Sequence, residues 1–359
     1  MAFIDDTVLN DFQSTLGTNE KFLGNYGITD LTKDSTPFAD YMPPSVVALL
    51  STSSASRDAQ IPVIKDQTVT TGIVPGFSNI PLNLGETANY FFTAFNIFSG
   101  FRLYPASFEN NQLDATFYRD NILKNVLQAM AVAKDDIIEA VLETRKTQVL
   151  SFVTQVSQGD GTFTFDTGTD TLTVNKAGQK DTMFTYLKEL MVANKLGGNY
   201  RIVTSPAGLV VGNVEAAKFR DDQNKQLLWS QSDMPMDRRY ITNQISPSSD
   251  VFKGFFVRDG DIGSISNFFW DFRNGTDLST KKWKVTDVEM PFVRSRLNTF
   301  INTEATEATA LITPATDTNL TMTHFEEVAL WDRFYVVYRY NSDLTSRVNA
   351  IVKIAGATS

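Results

Sequence analysis

Carboxylates are the side chains in this sequence best suited to chemistry. Asp166, Thr167 and Gly168 form an Asp-Thr-Gly triplet, and the chemistry open to it is peptide hydrolysis by two carboxylates sharing one proton. One copy per chain would therefore demand a symmetric dimer. The flanks favour another reading: Thr and Phe alternate before Asp166, Leu172 and Val174 follow Asp170, and the centre is a turn sequence. A two-stranded hairpin over Thr162–Asn175 accounts for every residue. A second group, Asp135, Asp136, Glu139 and Glu143, lies along a helical stretch. Carboxylate metal sites in helical bundles also use Glu-x-x-His pairs, and the sequence has none, so these acids read as a solvated or intersubunit face. His324 is the only histidine and there is no cysteine. That excludes His-rich metal sites, thiolate nucleophiles, Cys-ligated zinc and disulfides. No catalytic, cofactor-binding or metal-binding residue is assigned.

The elements that would have to position such groups are equally plain. Ala193–Val211, ANKLGGNYRIVTSPAGLVV, joins a helix to a strand and then to another helix. A strand entering a Gly-rich turn and a helix can cradle phosphate on unpaired amides. Here Gly197 and Gly198 precede the strand and read as the left-handed stop of a helix over Asp181–Leu196. After the strand, Ser205 as N-cap and Pro206 at the first helical position make an ordinary helix start. No Gly-Lys dipeptide, G-x-G-x-x-G or G-x-S-x-G occurs, which removes the phosphate loop, the dinucleotide fingerprint and the nucleophile elbow.

Tyr90, Phe91, Phe92, Phe95, Phe98, Phe101 and Tyr104 could stack on bases, but only Arg102 stands among them, and single-strand binding needs cations beside the rings. They read as core or subunit interface. Arg294, Arg296, Arg333 and Arg339 lie among apolar residues of predicted strands. In an acidic chain scattered arginines read as salt bridges between surfaces. The formal net charge is -9, opposed to coating nucleic acid by counterion release.

With 359 residues, 42% hydrophobic and 12% aromatic, the chain can bury one large core or two ordinary ones. The start, MAFIDDTVLNDFQ, lacks the pattern of a signal peptide, and no run of 18 apolar residues follows; the expectation is a soluble protein made in the cytosol. Seven of the twelve prolines precede residue 110, and residues 1–60 read as an arm. The β-branched and aromatic segments of 61–105, punctuated by Gly72, Pro75-Gly76 and Gly85, fit a long hairpin-like loop. Residues 106–158 contain no Gly or Pro, and Leu113, Phe117, Leu123, Leu127, Met130, Ile138 and Leu142 recur at helical spacing. One helix from Asp114 to Val153, roughly 60 Å long, is predicted. The segments around Phe252–Gly263, Lys281–Asn302 and Glu326–Gly356 predict strands.

This order of arm, long β loop, one very long helix and mixed region opening with NYRIVTSPAG resembles the major capsid proteins of tailed bacteriophages. FSGFRLYPASFENNQLD, Phe98–Asp114, is similar to the return from the family's loop into its spine helix, and FKGFFVRDGDIG, Phe252–Gly263, to an axial-domain strand and turn. The resemblance implies an α+β fold of the phage major-capsid type. Its parts would be an N-terminal arm (1–60), an extended β loop and return strand (61–105), the spine helix and β hairpin of a peripheral domain (106–180), and an axial domain with returning peripheral strands (181–359). It further implies a non-enzymatic shell protein assembling as hexamers and pentamers around double-stranded DNA. Portal, scaffolding and decoration proteins are possible partners, no membrane is involved, and the location is the virion after synthesis in the host cytoplasm. The same fold serves encapsulin-like compartments, which is the alternative; a carboxylate-based hydrolase is the reading from another class. No Lys/Glu-rich helical block precedes residue 60, a departure that points away from a fused scaffolding segment. The Thr162–Asn175 hairpin looks like an insertion without an assigned role.

Overall fold

The structure is a computed structural model that describes residues 27–34, 44–52, 59–64, 87–104, 112–156, 162–175, 183–208, 239–241, 252–267, 283–290, 295–310, 320–339 and 347–357. Five helices are named here: α1 (Gly27–Asp34), α2 (Pro44–Thr52), α3 (Gln112–Arg145), α4 (Val153–Val156) and α5 (Met183–Ala193). The strands are β1 (Ala59–Ile64), β2 (Thr87–Phe92), β3 (Ala94–Leu103), β4 (Phe163–Asp166), β5 (Thr171–Val174), β6 (Tyr200–Thr204), β7 (Arg239–Ile241), β8 (Lys253–Arg258), β9 (Ile262–Ser266), β10 (Trp283–Met290), β11 (Ser295–Ala310), β12 (Leu320–Tyr338) and β13 (Ile351–Gly356). The class is α+β, as the sequence predicts.

Three sheets form. β1 and β2 make an antiparallel ladder from Ala59↔Phe92 to Ile64↔Thr87, the base of the predicted loop; residues 65–86 lie outside the described residues. A five-stranded sheet runs β10-β11-β12-β3, with β9 also beside β12. A six-stranded sheet runs β4-β5-β13-β8-β6-β7. Its central strands are buried on both faces. Val203, Phe255, Val257 and Ile351 join the core beneath α3 and the five-stranded sheet, whereas Ile202, Phe256, Val352 and Ile354 join a second core under α5. A strand covered on both sides needs apolar residues at every position rather than at alternate ones, and all five residues of β6, YRIVT, are buried.

The spine is α3, 34 residues and about 51 Å long. Leu123, Leu127, Met130, Ala131, Ile138 and Leu142 are each at most 2% exposed, and their spacings of three and four place them on one face. The helix ends at Arg145, eight residues before the predicted end. Apolar periodicity continues through Val149 and Phe152, so the local pattern gives no stop; the stop comes from distant residues. Arg347 donates to the carbonyls of Thr144 and Lys146, and the Asn349 side chain donates to that of Arg145. These satisfy carbonyls that a continuing helix would have bonded internally. The amides of Thr147 and Gln148 then donate to Ile351 and Arg347, drawing the chain away from the helix axis.

The end of α5 also differs from expectation. The left-handed residue is Lys195, with φ 61°. The Leu196 amide donates to Met191 and the Lys195 amide to Val192, the paired bonds of a Schellman stop. Leu196 packs on the core that holds Met191, and that apolar contact selects the stop two residues before the glycines. Gly198, at φ 138°, instead admits Arg258: a Cβ there would lie 2.8 Å from that side chain. No helix of the described residues is long and apolar enough to cross a membrane.

Candidate functional site

Asp166 sits at the mouth of the β4–β5 hairpin, as the alternation predicts. Its carboxylate accepts bonds from the Gly168 amide at 2.9 Å and the Thr169 hydroxyl at 2.7 Å. The Thr169 hydroxyl, followed by the Gly168 amide, holds the carboxyl below its ordinary range. An ionised, exposed carboxylate spent on its own turn is an Asx-type turn former. The hairpin is more than an insertion: β5 pairs in parallel with β13 from Lys353↔Thr171 to Gly356↔Val174 and extends the six-stranded sheet.

Burial divides the four helix acids, which corrects their reading as a solvated or intersubunit row for Asp135. Asp135 is fully buried and accepts bonds from the Thr29 amide (2.8 Å) and hydroxyl (2.9 Å), tying α1 to α3. Glu143 holds Lys146 at 2.8 Å and Lys353. Burial would raise its carboxyl, but the two lysines outweigh that and keep it below the usual range. Glu139 is raised, first by burial and then by Glu143, Asp136 and Asp135; Asp136 is raised by burial. At 100° per residue the four lie within about a 100° arc of the helix, and packing at its edge decides their fates: Asp135 is buried beneath α1 while Asp136 is exposed. Among the described residues no group of three His, Cys, Asp or Glu side chains is placed to hold a metal ion.

An ion pair within the core escaped the sequence reading. Lys134 and Asp332, each 1% exposed, meet at 2.8 Å, and the ammonium stands 4.5 Å from the centre of the Phe334 ring. The signal was present: Lys134 occupies a core position between Met130 and Ile138, where an uninterrupted helix face needs an apolar residue or a paired charge.

Phe92 meets Tyr338 edge-on, Phe95 stacks on Phe334, and Tyr104 lies against Phe325 beneath the Arg102 guanidinium, so these rings serve packing. Phe98 is 80% exposed. Arginines pair within the chain, Arg102 with Glu327, Arg201 with Asp259 and Arg258 with Asp261, and Arg333 is buried. The expectation that the strand arginines bridge surfaces is thus corrected for Arg333, which lies in the core; Arg294 lies outside the described residues. His324 pairs with Thr306 in the β11–β12 ladder. In the Ala193–Val211 stretch, the Ser205 hydroxyl accepts the Lys253 amide at 3.2 Å and its own amide donates to Lys253 at 2.8 Å, locking β6 to β8. The stretch is scaffold as far as residue 208, where its described part ends.

No protein-family model and no curated protein matches this sequence. In fold the chain is similar to solved phage capsid structures. The capsid of Ralstonia phage GP4 has a TM-score of 0.45 at 10% identity, covering 90% of this chain and 91% of that one. A structure from Mycobacterium phage Che8 has a TM-score of 0.44 at 10% identity over 90% and 92%. The capsid of cyanophage P-SCSP1u has 0.42 at 11% identity over 86% of each chain.

Proposed function

We propose that this chain is the major capsid protein of a tailed bacteriophage, a non-enzymatic subunit that assembles with its own copies into an icosahedral shell around double-stranded DNA. The order of elements around α3 carries the reading. A β1–β2 ladder precedes a helix of 34 residues, and a helix-strand-Ser-Pro unit at Met183–Pro206 follows it. That is the order through which the sequence resembles the capsid family. In this reading residues 1–60 are the arm, 61–105 the extended loop, 106–180 the peripheral spine and hairpin, and 181–359 the axial domain with returning strands. Hexamers and pentamers are the assembly units, with portal, scaffolding and decoration proteins as further partners, in the virion after synthesis in the host cytoplasm. An acidic wall suits a container, because small cations neutralise most of the packed charge and the wall need not grip it.

Electron microscopy of the purified protein and of particles from expressing cells tests this. Closed icosahedral shells are the expected result, with nuclease-protected DNA in particles made during infection. Shells holding a protein cargo would replace the phage head by a compartment, and a protein that stays monomeric at every concentration would overturn both.

A further inference from the structure

Two oxygen atoms of the five-stranded sheet are buried without a hydrogen-bond partner among the described residues: the hydroxyl of Thr299 on β11 and Oδ1 of Asp332 on β12. Thr299 is 0% and Asp332 1% exposed, so bulk solvent reaches neither. Buried side-chain oxygens in folded proteins are bonded in the large majority of cases, and each of these two calls for a partner. The register brings them together. Thr299 lies directly opposite Leu330, and Asp332, two residues further along β12, returns to the same face of the sheet. Leu297 and Ile301 flank Thr299 on that face, Leu330 and Phe334 flank Asp332, and all four belong to the core that α3 covers. The two oxygens therefore sit on the inner face, among apolar side chains.

Diagonal neighbours on antiparallel strands stand about 7–8 Å apart or somewhat less at Cβ, within the span of one small molecule that makes a bond of about 2.8 Å to each side chain. The surroundings select that molecule. An anion is repelled by the Asp332 carboxylate. A metal cation is opposed by the Lys134 ammonium, 2.8 Å from Oδ2 of the same carboxylate, and hard cations take more oxygen ligands than this site supplies. An apolar molecule would leave both oxygens bare. What fits is neutral, no larger than a single oxygen atom, and able both to donate and to accept, which is water.

We propose that one water molecule is built into the core between β11 and β12, donating a hydrogen bond to Oδ1 of Asp332 and accepting one from the Thr299 hydroxyl. The bond from Lys134 to Oδ2 leaves that carboxylate half satisfied, and the water supplies the other half. A chain of bonds then runs from Lys134 on α3 through both oxygens of Asp332 on β12 to Thr299 on β11. One water thus ties the long helix to two strands of the sheet beneath it. The site does not depend on the shell reading and stands or falls by itself.

A density map of the protein at about 2 Å resolution or better tests the site directly. The expected result is an isolated peak about 2.7–3.0 Å from both Oγ1 of Thr299 and Oδ1 of Asp332, retained in Thr299→Ser and lost in Thr299→Val. An ordered pair of side chains with no peak between them overturns the site, as does a Thr299 hydroxyl bonded directly to Asp332 or a peak ringed by oxygens at metal distances. Melting supplies a second readout, in which the background decides the sign. In the wild type Thr299→Val removes a partner of the water and should lower the melting temperature by about 2 °C. In the Lys134→Met, Asp332→Leu background no carboxylate remains to be bridged, so the same change should leave the melting temperature level or raise it. A rise in both backgrounds would mean that the hydroxyl had no bond to lose, and an equal fall in both would mean that its bond does not lead to Asp332; either overturns the proposal.

Discussion

Lys134 and Asp332 illustrate how much one charge can depend on its partner. Both lie in the core, where one bond, their mutual attraction and the Phe334 ring act together, and Oδ1 of Asp332 has no hydrogen-bond partner among the described residues. Replacing Lys134 by Met leaves a buried carboxylate without its cation and is expected to cost about 3–5 kcal/mol in urea denaturation. The double variant Lys134→Met, Asp332→Leu should recover most of that loss, because an apolar pair needs no compensation. Glu139 and Glu143 respond oppositely to pH. Glu139 keeps its proton to higher pH when folded than when unfolded, so the folded state loses stability as pH rises through that range. Glu139→Gln should therefore stabilise the protein at pH 7 and change little at pH 4. For Glu143 the folded carboxyl is lowered, and its contribution is present above the unfolded value of about 4.3 and lost as pH falls through the folded one. Glu143→Gln should destabilise at neutral pH, with the difference vanishing on acidification.

Elements here are ended by their surroundings. Arg347 and Asn349, some 200 residues away in sequence, cap the last carbonyls of α3. Alanine at either position should cost about 1–3 kcal/mol, the usual loss when a partly buried acceptor is left bare. Denaturation melts would report the loss, and exchange of the amides of Thr147 and Gln148 should speed up as their pairing with Arg347 and Ile351 loosens. The stop of α5 makes the converse prediction. Lys195 occupies a left-handed position that favours glycine, so Lys195→Gly should raise stability by about 0.5–1 kcal/mol. A fall in stability instead would mean the lysine side chain contributes more than its backbone costs.

For the molecule as a whole, the described core is built largely from α1, α3, α5 and the two larger sheets, and β1 and β2 form a ladder whose far end leads into residues 65–86. Two strands alone are marginal in water, and the segment 65–86 has three turn punctuators and few apolar runs. Replacing 65–86 by a short Gly-Ser linker is expected to leave circular dichroism and melting close to those of the intact chain while abolishing stable shells in sedimentation. A few hundred Å2 lost per copy, several kcal/mol at about 25 cal/mol per Å2 before ordering costs, recurs at each contact of a closed shell. Normal particles from this variant would remove the loop from the assembly.

By itself the sequence determined the class of the fold, the long helix up to Arg145, the β4–β5 hairpin and strand β6, because each is written in local terms: apolar spacing, alternation, or a short β-branched run. It also disposed of the Asp-Thr-Gly triplet, since an Asx turn is made by neighbouring residues. Tertiary structure decided where α3 stops, which of its acids is buried, and that a lysine belongs in the core. It also placed the hairpin on the edge of the six-stranded sheet, through a partner strand, β13, that lies far along the chain. Those outcomes depend on groups distant in sequence, and neither periodicity nor composition records which distant group will arrive to accept a bond, cap a carbonyl or neutralise a charge.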